Sequence, residues 1–249
     1  MDARDPRVTV RGLAELSAHP KRHSRIGGNA LRASVLGAND GLVSNLSLVM
    51  GVAGAGLDNR LILITGLAGL LAGACSMAMG EWISVQSARE LYTHELAVER
   101  AEIAQYPEEE RAELVGIYET RGLSSPAAHE LADHAMADDE RALAVMSREE
   151  LGIDPQELGG SAWTAAMSSF ALFVLGASVP VAPFTLLSST GAVAVSLSAS
   201  ALVLFGIGAA ITRVTGRSPW RSGLRLLLVG MTAATVTYGT GLVLGVSIG

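Results

Sequence analysis

Apolar residues along this chain gather in long unbroken runs, unlike the alternation of a strand or the narrow stripe of a soluble helix. The stretches 35–71, 163–187 and 192–211 carry almost no charge, and 226–248 carries none. About 20 apolar residues cross a bilayer core of about 30 Å, so these runs predict membrane-spanning helices, and the first is long enough for two. The first span is expected over 35–56, followed by a short polar turn, Gly-Leu-Asp-Asn, at 56–59. The second begins near Leu61. No proline interrupts the chain from there to Tyr106, so one helix of about 68 Å is expected to run out of the bilayer. A third span runs from Trp163 to Pro180 and Pro183, a fourth over 186–211 and a fifth over 224–248.

Between the second and third spans the pattern turns polar but remains helical. Pro107 stands in a favoured first-turn position, with Glu108, Glu109 and Glu110 where negative charge suits a helix amino terminus, and Gly122 ends that helix. Ser125-Pro126 opens another through residue 137, and a last one over 139–151 stops at Gly152, with Asp154-Pro155 leading back. The expected fold is an all-α integral membrane protein of five transmembrane helices with a cytosolic helical metal-binding insert between spans two and three. Its parts are a basic amino-terminal arm at 1–30, spans one and two at 31–88, the acidic insert at 89–159 and spans three to five at 160–249.

Composition sharpens this division. The chain is 49% hydrophobic with a mean hydropathy of +0.38, and its net charge of −6 conceals an insert of 18 acidic residues and six arginines. Such acidity excludes a phosphate-binding surface, hence nucleic acid as a partner, and attracts cations. The arm holds Arg4, Arg7, Arg11, Lys21, Arg22, Arg25 and Arg32, and the last loop holds Arg213, Arg217, Arg221 and Arg225. By the positive-inside rule, arm, insert and last loop face the cytosol and the carboxyl terminus lies opposite. The first thirty residues lack an apolar core, so no cleavable signal is expected. Cys75 is the one cysteine, read as a buried small hydrophobe.

Charged and sulfur-bearing residues inside this frame are the candidates for chemistry. Asp40 lies within an apolar span, where a carboxylate is costly unless it faces a cavity or partner. Gly37, Asp40, Ser44 and Ser47 share its helical face; the alternative is an interfacial carboxylate paired with Arg32. In the second span Gly69, Gly73, Met77, Gly80, Glu81 and Ser84 form a comparable stripe, with the Gly69-x-x-x-Gly73 spacing suited to close helix approach. In the insert Glu95, Glu99 and Glu102 share one helix face, and Glu110 and Glu113 the next. Two such helices can gather four carboxylates into an oxygen-rich divalent-metal site, the alternative being a solvated acidic face. Met146 and Glu150, four apart, add a thioether beside carboxylates, a pairing that favours first-row transition metals. His129 and His134 are five apart and diverge by about 140°, so they do not form a zinc-protease motif.

Three segments carry a family resemblance: Ala38-Asn-Asp-Gly-Leu-Val-Ser-Asn-Leu-Ser-Leu-Val-Met-Gly-Val, Gly73-Ala-Cys-Ser-Met-Ala-Met-Gly-Glu-Trp-Ile-Ser-Val and Arg148-Glu-Glu-Leu-Gly-Ile. In sequence and order they resemble the vacuolar iron transporter family, from about Leu31 to the end of the chain. The resemblance implies no enzyme and no prosthetic group, but a homodimer in a lipid bilayer that exports Fe2+ from the cytosol in exchange for protons, with Mn2+ or Zn2+ as further candidate ions. It implies that Asp40 and Met77, with Ser44 and Glu81 on the same stripes, line the pathway between subunits. It also implies that Glu99, Glu102, Glu110, Glu113, Met146 and Glu150, with Glu95 beside them, form the insert's metal site. Ser147 stands where the family can carry a second methionine. Seventeen arginines against one lysine point to a bacterial genome, hence a plasma membrane; a eukaryotic source would mean a vacuolar-type membrane. The rival function is a membrane-anchored metal buffer or sensor, with an uncoupled channel as a third.

Overall fold

The computed structural model describes residues 25–154, 161–187 and 189–248, with the side chains at 25–35, 189, 214 and 246–248 excepted. Most of the basic arm, Arg32's side chain and the linker at 155–160 lie outside the described residues. In chain order the described helices are α1 (Arg25–Gly54), α2 (Asn59–Gln105), α3 (Pro107–Thr120), α4 (Ser125–Met136), α5 (Asp139–Glu149), α6 (Ala162–Val181), α7 (Pro183–Leu186), α8 (Ser189–Thr215) and α9 (Pro219–Ile248).

Local chemistry explains the boundaries. Gly56, at φ 76°, turns the chain out of α1 into the left-handed region that glycine adopts without a side-chain clash. Asp58 then caps α2 by accepting the Leu61 N–H at 2.9 Å. With no proline inside it, α2 continues for 47 residues, about 70 Å of helix, until Tyr106 and Pro107 end it. Two expected starts move most. Among the described residues α1 is already helical at Arg25, ten residues before the expected start at 35, and α9 begins at Pro219, five before 224. In both, polar residues extend the helix past the apolar run, because backbone hydrogen bonds need no apolar side chains. Pro180 lies inside α6, whose last turn is followed by the single turn α7 opened by Pro183.

α1 is the centre of the apolar bundle, packed by α2, α6, α8 and α9. Leu46, Val49 and Met50 of α1 meet Ile62, Val181, Phe184, Ala192 and Ala234 in one core, while Leu70 and Ala74 of α2 meet Phe173 and Ala177 of α6 in another. Outward, α2 presents Ile64, Leu67 and Leu71, α8 Leu202, and α9 Val236 and Val243, all exposed. An apolar exterior around an apolar core marks an integral membrane protein. Among the described residues four helices are long and apolar enough to cross a membrane: α2, α6, α8 and α9. α1 carries Asn39, Asp40, Ser44, Asn45 and Ser47 along its apolar run. Four neighbours shelter this helix, so most of its surface does not need to be compatible with lipid. Cys75, expected to be buried, faces outward on α2, because Leu70 and Ala74 occupy the packed face of that turn.

The distal part of α2 combines with α3, α4 and α5 into the insert, around Ile103, Leu114, Val115, Tyr118, Ala132, Leu143 and Met146. Ion pairs fasten its rim: Arg111 to Asp133 between α3 and α4, Arg121 just past α3 to Glu149 of α5, and Arg100 to Glu140 at 3.2 Å between α2 and α5. Trp82 of α2 lies against Trp163 at the start of α6, with centroids 6.1 Å apart, and Trp220 opens α9 against Phe205 at 5.3 Å. All three tryptophans thus mark the insert-proximal ends of apolar helices, where the amphipathic indole suits a membrane–water boundary.

Candidate metal centre and membrane site

The insert presents carboxylates at the junction of α2, α3 and α5. Glu99, Glu110 and Glu150 each offer an oxygen, and these oxygens lie within 4.8 Å of one another. Glu99 is 2% exposed, Glu110 9%, while Glu150 opens to solvent. Glu99 faces inward on the turn before Ile103, so helical spacing that builds the insert core also buries a charge. Its Oε1 is buried and has no hydrogen-bond partner among the described residues.

Electrostatics makes this cluster uncomfortable without a cation. Burial first, and then the carboxylates of Glu150, Glu110, Glu102 and Glu113, push the Glu99 carboxyl up to about 7. Burial also raises Glu110, with Glu113, Glu102 and Glu150 adding to it. Glu150 is raised by burial and by Glu113 and Glu102, against a hydrogen bond with Glu99 that favours its charged form. An unsatisfied buried carboxylate oxygen inside mutually repelling carboxylates fits a divalent cation, which supplies the missing charge and takes hard oxygen ligands. Glu102 and Glu113 are exposed, one turn along α2 and α3, close enough to act on the trio through their charge. Glu95 is half-buried one turn before Glu99. Met146 is wholly buried in the insert core, and its carbonyl accepts the Glu150 N–H at 2.8 Å. Ser147 is equally buried and donates to the Leu143 carbonyl.

The membrane candidates occupy adjoining turns of α1 and α2. Asp40 and Ser44 are both exposed on one face of α1, and the Ser44 hydroxyl donates to the main-chain carbonyl of Asp40. Met77 is half-buried against α6, and its thioether reaches back to α1. A Cβ built on Gly37 would lie 3.4 Å from Met77 Cε and 3.7 Å from Sδ. Gly37 precedes Asp40 by three residues, so the thioether meets α1 about one turn before the aspartate. Glu81, half-buried, follows one turn on and immediately precedes Trp82, which places it at the level of the indole boundary. The small residues permit this approach: a Cβ on Gly69 would meet Leu48 Cδ2 at 2.3 Å, and one on Gly73 the Phe173 ring at 2.3 Å.

Sequence reasoning assigned no role to Asn45. It is 2% exposed and its amide donates to carbonyls of two other helices. The signal was there, an amide inside an apolar run, but Asp40 nearby carried the larger desolvation cost and drew the reading.

A profile of the VIT family matches residues 31–242. Vacuolar iron transporter 1 of Oryza sativa subsp. japonica is 32% identical over 225 residues, covering 89% of this chain and 87% of its own. The vacuolar iron transporter of Acanthamoeba castellanii is 35% identical over 219 residues, covering 88% and 76% respectively. Vacuolar iron transporter 1 of Arabidopsis thaliana is 30% identical over 227 residues, covering 90% and 89%.

Proposed function

This chain belongs to the VIT family, a family of transporters and not of enzymes, and on that premise we propose that it carries Fe2+ across a membrane as a proton-coupled exporter. The observation that carries the reading is Asp40. An exposed carboxylate on α1, beside an apolar exterior, cannot face lipid cheaply. A second copy of the chain opposite it converts that cost into a polar path, with Met77, Ser44 and Glu81 on the adjoining surface. The working unit is therefore a homodimer, and α1 is its fifth span.

The insert trio of Glu99, Glu110 and Glu150 gathers metal, with Glu102 and Glu113 adding field and outer ligands and Glu95 and Met146 flanking them. Asp40 and Met77 then receive the ion. Carboxylate oxygen and thioether together suit Fe2+ over Mg2+ or Ca2+, with Mn2+ and Zn2+ as competitors. Proton coupling follows from the same atoms, because proton and metal compete for carboxylate oxygens. Arg213, Arg217, Arg221 and Arg225 lie at the insert-side ends of α8 and α9, which supports a cytosolic insert and export.

The test is uptake of Fe2+, Mn2+ and Zn2+ into proteoliposomes holding an internal pH-sensitive dye. Wild-type protein is expected to move Fe2+ with counterflow of protons, and Asp40→Asn to move none. Metal binding without flux would establish the rival, a membrane-anchored buffer; flux without proton movement would leave an uncoupled channel.

A further inference from the structure

The part of the bundle that the transport reading leaves unexplained is the back of α1. Asn45 stands five residues after Asp40, about 140° around the helix, and faces inward where Asp40 faces out. Its Nδ2 donates to the Ala177 carbonyl of α6 at 2.9 Å and to the Gly66 carbonyl of α2 at 3.2 Å. Its Oδ1 is buried with no partner among the described residues. The side chain therefore contributes two donors at one point where three helices meet, and its acceptor is unused. No aliphatic residue can replace it, and a hydroxyl supplies only one donor. Space for it is created by glycine: a Cβ on Gly69 would lie 2.8 Å from Asn45 Oδ1.

The acceptor on α6 is equally particular. Pro180 has no N–H, which deprives the Gly176 carbonyl of its helical donor, and Pro183 does the same to Val179. Asn45 holds neither of these two carbonyls, but main-chain bonds such as Ala182 N–H to Ser178 are here joined by side-chain donors from three other helices. Asn45 of α1 takes Ala177, Ser196 of α8 donates to the Pro180 carbonyl at 2.8 Å, and Asn59 of α2 donates to the Phe184 carbonyl at 2.8 Å. Without its Cβ, Gly176 lets α6 and α1 touch backbone to backbone, since a methyl there would sit 2.1 Å from the Ala38 carbonyl oxygen. The glycine contacts themselves interlock no side chains, so at this crossing the directional bonds of Asn45 add to the core packing of Leu46, Val49 and Met50 in fixing the rotation of α1.

We propose that Asn45 is a positioning residue for transport: by tying α1 to α2 and to the proline-broken end of α6, it sets the rotation of α1 that presents Asp40 and Ser44 to the pathway. It touches neither ion nor proton. The inference rests on the transport reading, and the wild-type assay separates the two, since a wild-type protein that moves no Fe2+ defeats that reading before any variant is compared.

The experiment uses the full chain in proteoliposomes with Asn45→Leu, which keeps the shape and loses both donors, and Asn45→Ser, which keeps one. Fe2+ flux in Asn45→Leu is expected to fall by about tenfold, the order associated with losing one buried hydrogen-bonded link, with Asn45→Ser between it and wild type. Metal binding to the insert, read by calorimetry with Mn2+, stays at the wild-type value. In a Cys75→Ser background, the rate at which Ser44→Cys reacts with a small thiol reagent changes with Asn45→Leu, whereas that of Val236→Cys, on the exterior of α9, does not. Unchanged flux in Asn45→Leu overturns the proposal. So does lost flux with unchanged Ser44→Cys reactivity, which would put Asn45 in the pathway itself. Equal changes at Ser44→Cys and Val236→Cys, with a lowered melting temperature in both Asn45 variants, would make it a core residue only.

Discussion

Two carboxylates in this protein are out of place by the ordinary rules of burial, and each sets an expectation that can be measured. Glu99 lies in a folded insert that holds its carboxyl near 7, against 4.5 for an ordinary glutamate. Below about 4.5 the folded and unfolded chains both hold this proton, and the group's contribution to stability is complete. Between 4.5 and about 7 the unfolded chain has released the proton that the folded chain retains, so stability falls as pH rises through that window. In metal-free protein Glu99→Gln, a mimic of the neutral form, is therefore expected to raise the melting temperature near pH 8 and to leave it unchanged near pH 5. Because metal displaces the same proton, calorimetry on the wild type should show affinity rising between those two pH values, with proton release on binding. At Asp40 the expectation concerns flux alone: Asp40→Asn and Met77→Ala stop Fe2+ uptake while leaving insert binding and dimer formation intact.

At the scale of helices, the bundle depends on where side chains are missing. α1 and α6 meet at Gly41 and Gly176, where a built Cβ would lie 2.3 Å and 2.1 Å from a main-chain oxygen of the other helix. Backbone cannot rotate aside as a side chain can, so Gly176→Ala is expected to cost about 1–3 kcal/mol or more and to lower the melting temperature. Gly80 on α2 has nothing within 4 Å of such a Cβ, so Gly80→Ala should be neutral or gain up to about 1 kcal/mol through helix propensity. Equal melting temperatures for these two variants would contradict the observed approach of α1 to α6.

For the whole molecule, two sites with different surroundings imply two different failures. The insert lies outside the apolar bundle, so its carboxylates act by raising local metal concentration. Replacing Glu99, Glu102, Glu110 and Glu113 together by glutamine is expected to weaken transport at low Fe2+ and to spare it at high Fe2+. Asp40→Asn should stay silent at every concentration, because no water replaces a lost ligand inside the bilayer. If both variants respond alike to concentration, the insert carboxylates take part in the crossing step itself.

Much of this architecture was legible in the order of residues. Apolar runs announced the helices α1, α2, α6, α8 and α9, and Pro107, Gly122 and Ser125-Pro126 announced the insert's turns, because each depends on neighbours within a few positions. What depends on distant partners was not legible. The apolar run announced α1 as well, but only its four neighbours account for the polar residues it carries. Spacing placed Glu95, Glu99 and Glu102 on one face, whereas packing alone selected Glu99 for burial and drew Glu110 and Glu150 to it from α3 and α5. The exposure of Cys75 follows from α6 covering the other side of α2, which no local pattern specifies. Asn45, a single amide among apolar residues, acquired meaning only when Gly66 and Ala177, 21 and 132 residues away, brought their carbonyls to it, because a hydrogen bond between helices is a property of the fold and not of any segment.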